Sequence, residues 1–251
     1  MKRRQCFRWL FVLGGLFLSQ WEMPAASVSI QPIADTTLQQ SYPDNNFGDG
    51  TTFTAGDRRY GGATRALVEF DVAGHVPAGA TIDSVTLTLT VSKAPSGGGF
   101  NSVFDLHRVL DSWSEGSGSD MRGSLATANQ STWNYRFSPA TPWSHAGGDF
   151  SSALSASRNI TGVGAYTFTS TANLVGDVQG WLNNPANNFG WILMSESENS
   201  PTSIRRFASR DAVSGAPLLT INFTPVPEPG TWTVLAVGML FIVWRLRRKA
   251  T

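Results

Sequence analysis

The sequence predicts an all-β protein, a jelly-roll-type β-sandwich with one short helix. Three observations carry this reading. Residues 81–92 read T-I-D-S-V-T-L-T-L-T-V-S, with Val85, Leu87, Leu89 and Val91 at every second position and threonines between them. That is the period of a strand with one buried and one wet face, and β-branched residues suit its pleat. Further short apolar alternations recur along the chain, separated by turn-forming clusters every ten or so residues. Only Leu174, Val178, Trp181 and Leu182 recur at helical spacing. A strand like 81–92 cannot stand alone, because its apolar face needs a second sheet to cover it.

In order, Val28-Ser29-Ile30 and Asp35-Thr36-Thr37-Leu38 open the strands. Residues 42–50, Y-P-D-N-N-F-G-D-G, are dense in turn formers. Residues 66–72 alternate again, placing Val68, Phe70 and Val72 on one face. Pro77-Ala78-Gly79-Ala80 turns the chain into the central strand, a glycine-rich turn spans 95–99, and 103–109 is a further strand. Residues 111–165, rich in Ser, Gly, Ala and Trp, show no long periodic run and read as long surface loops with short strands between. Residues 166–169 form a short strand, and Thr171 or Asn173 caps the helix that follows. Asn183-Asn184-Pro185 stops it. Trp191-Ile192-Leu193-Met194 is apolar throughout, as in a buried strand, and Leu219, Ile221 and Phe223 close the body by alternation.

Both ends differ from this body. Residues 1–26 have a basic start (Lys2, Arg3, Arg4), an apolar run at 9–18 and small residues at Pro24-Ala25-Ala26. This is the layout of a secretory signal peptide, and the run is shorter than the ~20 residues a membrane span needs. The body is then 27–224. Residues 225–251 give a stiff Pro-rich linker, an apolar run at 232–244 read as a transmembrane segment, and a basic cluster that stays on the cytoplasmic side.

Of 251 residues, 41% are hydrophobic and only 15% charged, an ordinary globular mixture poor in charge. The formal +1 comes from the termini; residues 27–226 hold 11 basic and 16 acidic side chains, a formal −5. No basic stripe is present, which excludes nucleic acid as a partner. The single cysteine, Cys6, lies in the signal segment, so the mature body has neither disulfide nor thiolate nucleophile.

Two resemblances follow. Pro227-Glu228-Pro229, the apolar segment, and Arg245, Arg247 and Arg248 resemble the PEP-CTERM sorting signal. That resemblance implies recognition and cutting by an exosortase, a membrane-embedded cysteine-type transpeptidase or protease, in a Gram-negative bacterium that makes exopolysaccharide. From about Ile33 to Phe223 the chain resembles the DNRLRE domain, itself similar to a jelly-roll carbohydrate-binding module family. The resemblance rests on Ala34-Asp35-Thr36-Thr37 before residues 42–48, and on R-A-L-V-E-F-D at 65–71 before P-A-G-A-T-I at 77–82. It continues through W-S-E-G at 113–116, S-T-W-N at 131–134, Trp143 before Gly147-Gly148-Asp149, and F-A-S-R-D at 207–211 before Pro217-Leu218. Between Gly116 and Ser131 the chain carries extra loop, which alters any groove there.

The body holds five tryptophans. Trp181 and Trp191 read as core. Trp113 and Trp133 fit core packing and sugar stacking equally, and Trp143 and Tyr60, set among Ser, Gly and Pro, are the aromatics expected to be exposed. These four are the candidate carbohydrate-binding residues. Asp35, Asp44 and Asp49 sit in an oxygen-rich segment and are candidate ligands for a structural calcium. The spacing fits no EF-hand, and turn and capping duty explains the same residues more simply. No other cofactor is expected. His75, His107 and His145 form no zinc pattern, and there is neither a G-x-S-x-G nor a P-loop. Glu69/Asp71, Glu115 and Glu196/Glu198 could in principle pair as acid and base for glycoside cleavage, but Glu69 and Asp71 share one strand face, where they are more simply a wet edge. Arg205, Arg206 and Arg210 are expected to pair with acids such as Asp211.

The expected function is that of an exported, exosortase-processed, non-enzymatic β-sandwich protein. It is held transiently in the inner membrane, then serves at the cell surface or in the extracellular matrix, binding exopolysaccharide. The alternatives are a purely structural or adhesive matrix protein without a sugar site and a polysaccharide-degrading enzyme.

Overall fold

A computed structural model describes residues 24–58, 62–95, 102–119, 122–198, 200, 202–226 and 229–249. In chain order its elements are β1 (Ala26–Ile30), β2 (Ala34–Gln39), β3 (Asn45–Asn46), β4 (Thr52–Arg58), β5 (Gly62–Glu69), β6 (Thr81–Lys93) and β7 (Ser102–Val109). Then follow β8 (Ser124–Leu125), β9 (Tyr135–Phe137), β10 (Thr141–Pro142), β11 (Phe150–Ile160), β12 (Gly164–Phe168) and the helix α1 (Ala172–Asn183). The last are β13 (Trp191–Ser195), β14 (Arg205–Ala208), β15 (Leu218–Thr224) and α2 (Pro229–Lys249). Of the signal peptide expected at residues 1–26, residues 1–23 lie outside the described residues.

The protein is mostly β, as expected: one antiparallel sheet curls over to make two facing sheets. In the first, β6 is central. Its Leu87 and Thr88 pair with β15 on one side and β12 on the other, and β1 pairs with β15 beyond. In the second, β5, β13, β7 and β11 lie side by side, with β2 on the free edge of β5. β4 joins the two. Its residues from Thr52 to Ala55 pair with β14 in the first sheet, and Gly56 to Arg58 pair with β5 in the second. The strand switches sheets at Gly56, where φ is +111° and a Cβ would sit 2.7 Å from Ile204 Cα, so only glycine fits.

Between the sheets, the alternating residues of β6 meet Phe53, Val68, Leu106, Leu193, Phe207 and Ile221, all buried. Phe53 stacks on Phe207 at 5.5 Å. α1 closes this core with the predicted stripe of Leu174, Val178, Trp181 and Leu182, and Trp181 meets Trp191 at 4.4 Å. Thr171 is the N-cap, its Oγ1 accepting from Leu174 N at 3.0 Å. The helix stops at Asn184, and Pro185 begins a 3-10 turn.

Three departures from expectation matter. β5 ends at Glu69, and Asp71 instead accepts from Gly74 N at 2.9 Å to make a turn; Phe70 and Val72 are buried all the same. β4, β11 and β14 are strands without a clear alternation in sequence. And residues 110–119 and 122–149 are not free surface loops. They form a strap across the outer face of the second sheet, burying Leu38, Leu67, Val109 and Ile192 in a second apolar cluster.

Among the described residues no helix is long and apolar enough to cross a membrane, so the transmembrane segment expected at 232–244 is not met there. By sequence the apolar run spans residues 232–244 and is followed by Arg245. At 1.5 Å per residue those thirteen residues rise ~20 Å, against the ~30 Å of a hydrocarbon core.

Candidate functional site

The strap carries most of the residues that the sequence singles out, and three polar nodes hold it down. The first is Asn46, fully buried on β3. Its Nδ2 donates to Glu115 O (2.7 Å) and Ser131 O (2.9 Å), and its Oδ1 accepts from Gly48 N (3.0 Å) and Gly118 N (2.8 Å). The backbone must come very close for this; a Cβ on Gly118 would lie 1.9 Å from Asn46 O. The second node joins the strap to β2 and to the loop after β14. Glu115 Oε1 accepts from Asp35 N (2.8 Å) and Arg210 Nε (2.7 Å), while Asp35 Oδ2 accepts from Arg210 N (2.7 Å). Burial pushes the Asp35 carboxyl up to about 7, with nearby Glu115 and Asp211 adding to the rise and Arg210 opposing it. Burial also raises Glu115. The third is Arg65 on β5. It donates Nε and Nη2 to Glu198 (2.9 and 3.0 Å) and Nη1 to Gly147 O (3.0 Å), and its guanidinium lies over Trp133 and Phe150 at 5.2 and 5.4 Å.

The three strap tryptophans point inward. Trp113, Trp133 and Trp143 are 8%, 7% and 4% exposed, too little for a sugar ring to stack on any of them. Trp113 Nε1 donates to Phe189 O and Trp143 Nε1 to Thr132 O, both at 2.9 Å. The expectation that Trp143 is exposed is therefore corrected. Its Ser- and Gly-rich surroundings form a turn, with Gly148 N donating to His145 O at 3.1 Å, while the ring itself joins the second apolar cluster. Tyr60 lies outside the described residues. Trp181 and Trp191 are core, as read.

The acidic residues do not converge. Asp35 is buried in the node above, Asp44 Oδ1 accepts from Asn134 Nδ2 at 2.9 Å, and Asp49 is exposed. Among the described residues no group of three His, Cys, Asp or Glu could hold a metal ion. The oxygen-rich segment serves Asn46 and its turns. At the strap's return, Asp149 accepts from Ser144 N (2.6 Å) and His145 N (2.9 Å); burial works to raise its carboxyl, and these hydrogen bonds outweigh it and hold it low. Of the sorting residues, Pro227 and Glu228 lie outside the described residues. Pro229 opens α2, which carries Arg245, Arg247 and Arg248, the last 4.1 Å over Trp244.

The strap covers only part of the sheet it crosses. Cross-strand pairs give the outer face in rows. Leu154, His107 and Ile192 form one row, and Ser157, Asp105 and Met194 the next. Asn159 and Val103 form a third, which Glu196 joins by donating its N–H to Val103 O at 3.0 Å. Ile192 is under the strap and fully buried, whereas Val103, Asp105, His107 and Met194 are half-buried and Ser157, Asn159 and Glu196 exposed. An open shelf thus runs beside the strap. Phe150 stands at its inner end, 5.5 Å from His107, where a bulge in β11 turns Ser151 O and Ala153 O toward His107 Nδ1 at 3.0 and 3.2 Å. Asp105 Oδ1 is buried and without a hydrogen-bond partner among the described residues, and burial raises this carboxyl, with Glu196 adding and His107 opposing. Of these residues the sequence singles out only His107 and Glu196, and neither for a place on this face. The alternation of Val103, Asp105 and His107 names a face, but which strands flank it is a matter of topology.

Residues 26–118 match the model of carbohydrate-binding module family 96, and residues 225–249 match the PEP-CTERM protein-sorting motif. The first match spans β1 to β7 and ends at Gly118, one of the residues packed on Asn46. It suggests carbohydrate binding, in a class of modules that is typically non-catalytic; the DNRLRE name finds no support in it. The second begins one residue beyond β15 and suggests export that depends on an exosortase. No curated protein matches the chain.

Proposed function

We propose that the chain is an exported, non-enzymatic β-sandwich protein that binds polysaccharide at the cell surface or in the extracellular matrix of a Gram-negative bacterium. Residues 1–26 direct export and are removed, the tail holds the protein briefly at the inner membrane, and an exosortase cuts near Pro227-Glu228-Pro229. The observation that carries the reading is the order of the two matches: a carbohydrate-binding module over β1 to β7 and a sorting motif abutting β15. Affinity electrophoresis of the protein through gels containing bacterial exopolysaccharides tests the binding; unchanged mobility in all of them refutes it. Detection of tail and body still joined in cells that have an exosortase refutes the processing. The inward-facing strap tryptophans favour a second reading, a structural or adhesive matrix protein with no sugar site, which the same gels distinguish.

A further inference from the structure

Resting on the proposed processing of the tail, we propose that the exosortase grips the main chain of residues 224–226 as well as the motif beyond them, and that the folded body competes for these three residues. In this arrangement the turn at 77–80 and Asp83 form a seat from which the end of β15 must lift before the chain is cut.

Four observations carry this. The match to the sorting motif begins at residue 225, directly after Thr224, the last residue of β15. The first residues of that match are not clear of the body. Pro225 is half-buried, and a Cβ on Gly79 would lie 3.6 Å from Val226 Cγ2, so Val226 rests beside the 77–80 turn that Ala80 N closes on Pro77 O at 3.1 Å. Thr224 itself pairs with Thr81, and its Oγ1 donates to Asp83 Oδ2 at 2.9 Å. Finally, the register of β15 on β6 shifts between Asn222 and Phe223, which sets the strand's end apart from its regular ladder.

The seat is braced from behind. Gln179 on α1 accepts from Ile82 N at 2.9 Å and donates to Ala80 O at 3.1 Å, fixing the chain on both sides of Thr81. Lifting stops at Phe223, which is 6% exposed and pairs with Ala26 of β1 as well as with Ile82. What comes free is three residues, held by one strand pair and one exposed hydrogen bond, the kind of strand end that opens at small cost. Three extended residues reach only ~10 Å. A cleft that takes extended chain by its main-chain hydrogen bonds needs this flank drawn away from the body, and an enzyme seated at the motif meets the 77–83 end of the sandwich as it draws.

The rate at which tail and body separate, followed by pulse-labelling the full chain in cells that have an exosortase, tests this. Thr81→Cys with Thr224→Cys locks the seat: paired residues of an antiparallel ladder lie within disulfide reach, and Cys6 is the chain's only native cysteine. In the oxidised pair processing is expected to be lost, and a reductant should restore it. Eight Gly and Ser residues inserted between Thr224 and Pro225 of the locked protein should restore processing without reductant. Asp83→Ala should speed processing about threefold to tenfold, the scale of one hydrogen bond, and Thr88→Ala, farther along β6, should leave it unchanged. Processing of the oxidised pair at the unaltered rate, or a block that the inserted spacer fails to lift, overturns the seat but leaves exosortase processing standing. A rate unchanged by Asp83→Ala overturns that residue's part in it. Tail and body that stay joined in the unaltered protein remove the underlying reading, and this proposal with it.

Discussion

Between the two sheets, Leu87, Leu89, Val91, Leu106 and Ile221 come from strands whose side chains alternate, and no polar contact is needed to aim them. Under the strap, Trp113, Trp133 and Trp143 come from irregular backbone, and each is aimed by hydrogen bonds or stacking: the Phe189 and Thr132 carbonyls for two, the Arg65 guanidinium for the third. Periodic strands place apolar groups on one face automatically. A strap has no such period, so its backbone donors and acceptors need individual partners, which Asn46, Glu115 and Arg65 provide. The inter-sheet layer is held by apolar area, the strap layer by a few polar nodes. The first should fail gradually and as a whole, the second abruptly and locally.

The strongest way to break that contrast is Asn46→Ala. It leaves the Gly48 and Gly118 N–H groups and the Glu115 and Ser131 carbonyls without their partner. At about 1–3 kcal/mol for each buried group left unsatisfied, the loss should exceed that of any single strap tryptophan's hydrogen bond. Limited proteolysis should then cut within 110–149 while the sandwich remains folded; a protein cut nowhere before global unfolding would show that the strap does not depend on this node. Leu87→Ala should cost about 2–5 kcal/mol, as for other buried leucines. Here denaturant melts should shift as one cooperative transition, with no early cleavage of the strap. Arg65→Met comes next. It keeps the apolar stem against Trp133 and Phe150 but leaves Glu198 unpaired and Gly147 O without its donor. At side-chain exposures of 17% and 14% for Arg65 and Glu198, about 1–3 kcal/mol is expected, read as a lower midpoint and faster exchange of strap amides.

The same contrast explains what could be read in advance. The strand of residues 81–92, the helical stripe around Val178 and the closing strand at 217–223 announce themselves by period, and the structure places them as expected. β11 has no such announcement. It is an edge strand with Ser152, Ala153, Leu154, Ser157 and Asn159 exposed, so it carries no apolar alternation to find. β4 is concealed by its change of sheet at Gly56, which breaks the period midway. The motif pieces at Asp35, Glu115 and Arg210 are recognisable one at a time. That they meet in a single node depends on the strap's path, which no local pattern encodes. Tryptophan misleads for a related reason: an indole among Ser and Gly looks wet, yet one N–H bond to a carbonyl suffices to bury it.

The finest test of the two layers is pH. Asp35 titrates at about 7 in the fold and at 3.8 as a free group, chiefly because burial disfavours its charged form. Between those values the folded protein binds more protons than the unfolded chain, so this group makes stability fall as pH rises from about 4 toward 7. Glu69, at the end of β5, is also raised to about 7 by burial and the neighbouring Asp71, and contributes with the same sign. The two differ in place: Asp35 belongs to the node that fastens the strap, Glu69 to the sheet. Asp35→Asn mimics the protonated form and should flatten the pH dependence of strap protection, followed by amide exchange within 110–149. Glu69→Gln should flatten instead the pH dependence of the global midpoint and leave strap protection falling with pH as before. If both substitutions altered both readouts alike, the strap and the sandwich would be a single cooperative unit, and the division drawn between an apolar layer and a polar-pinned one would have no thermodynamic content.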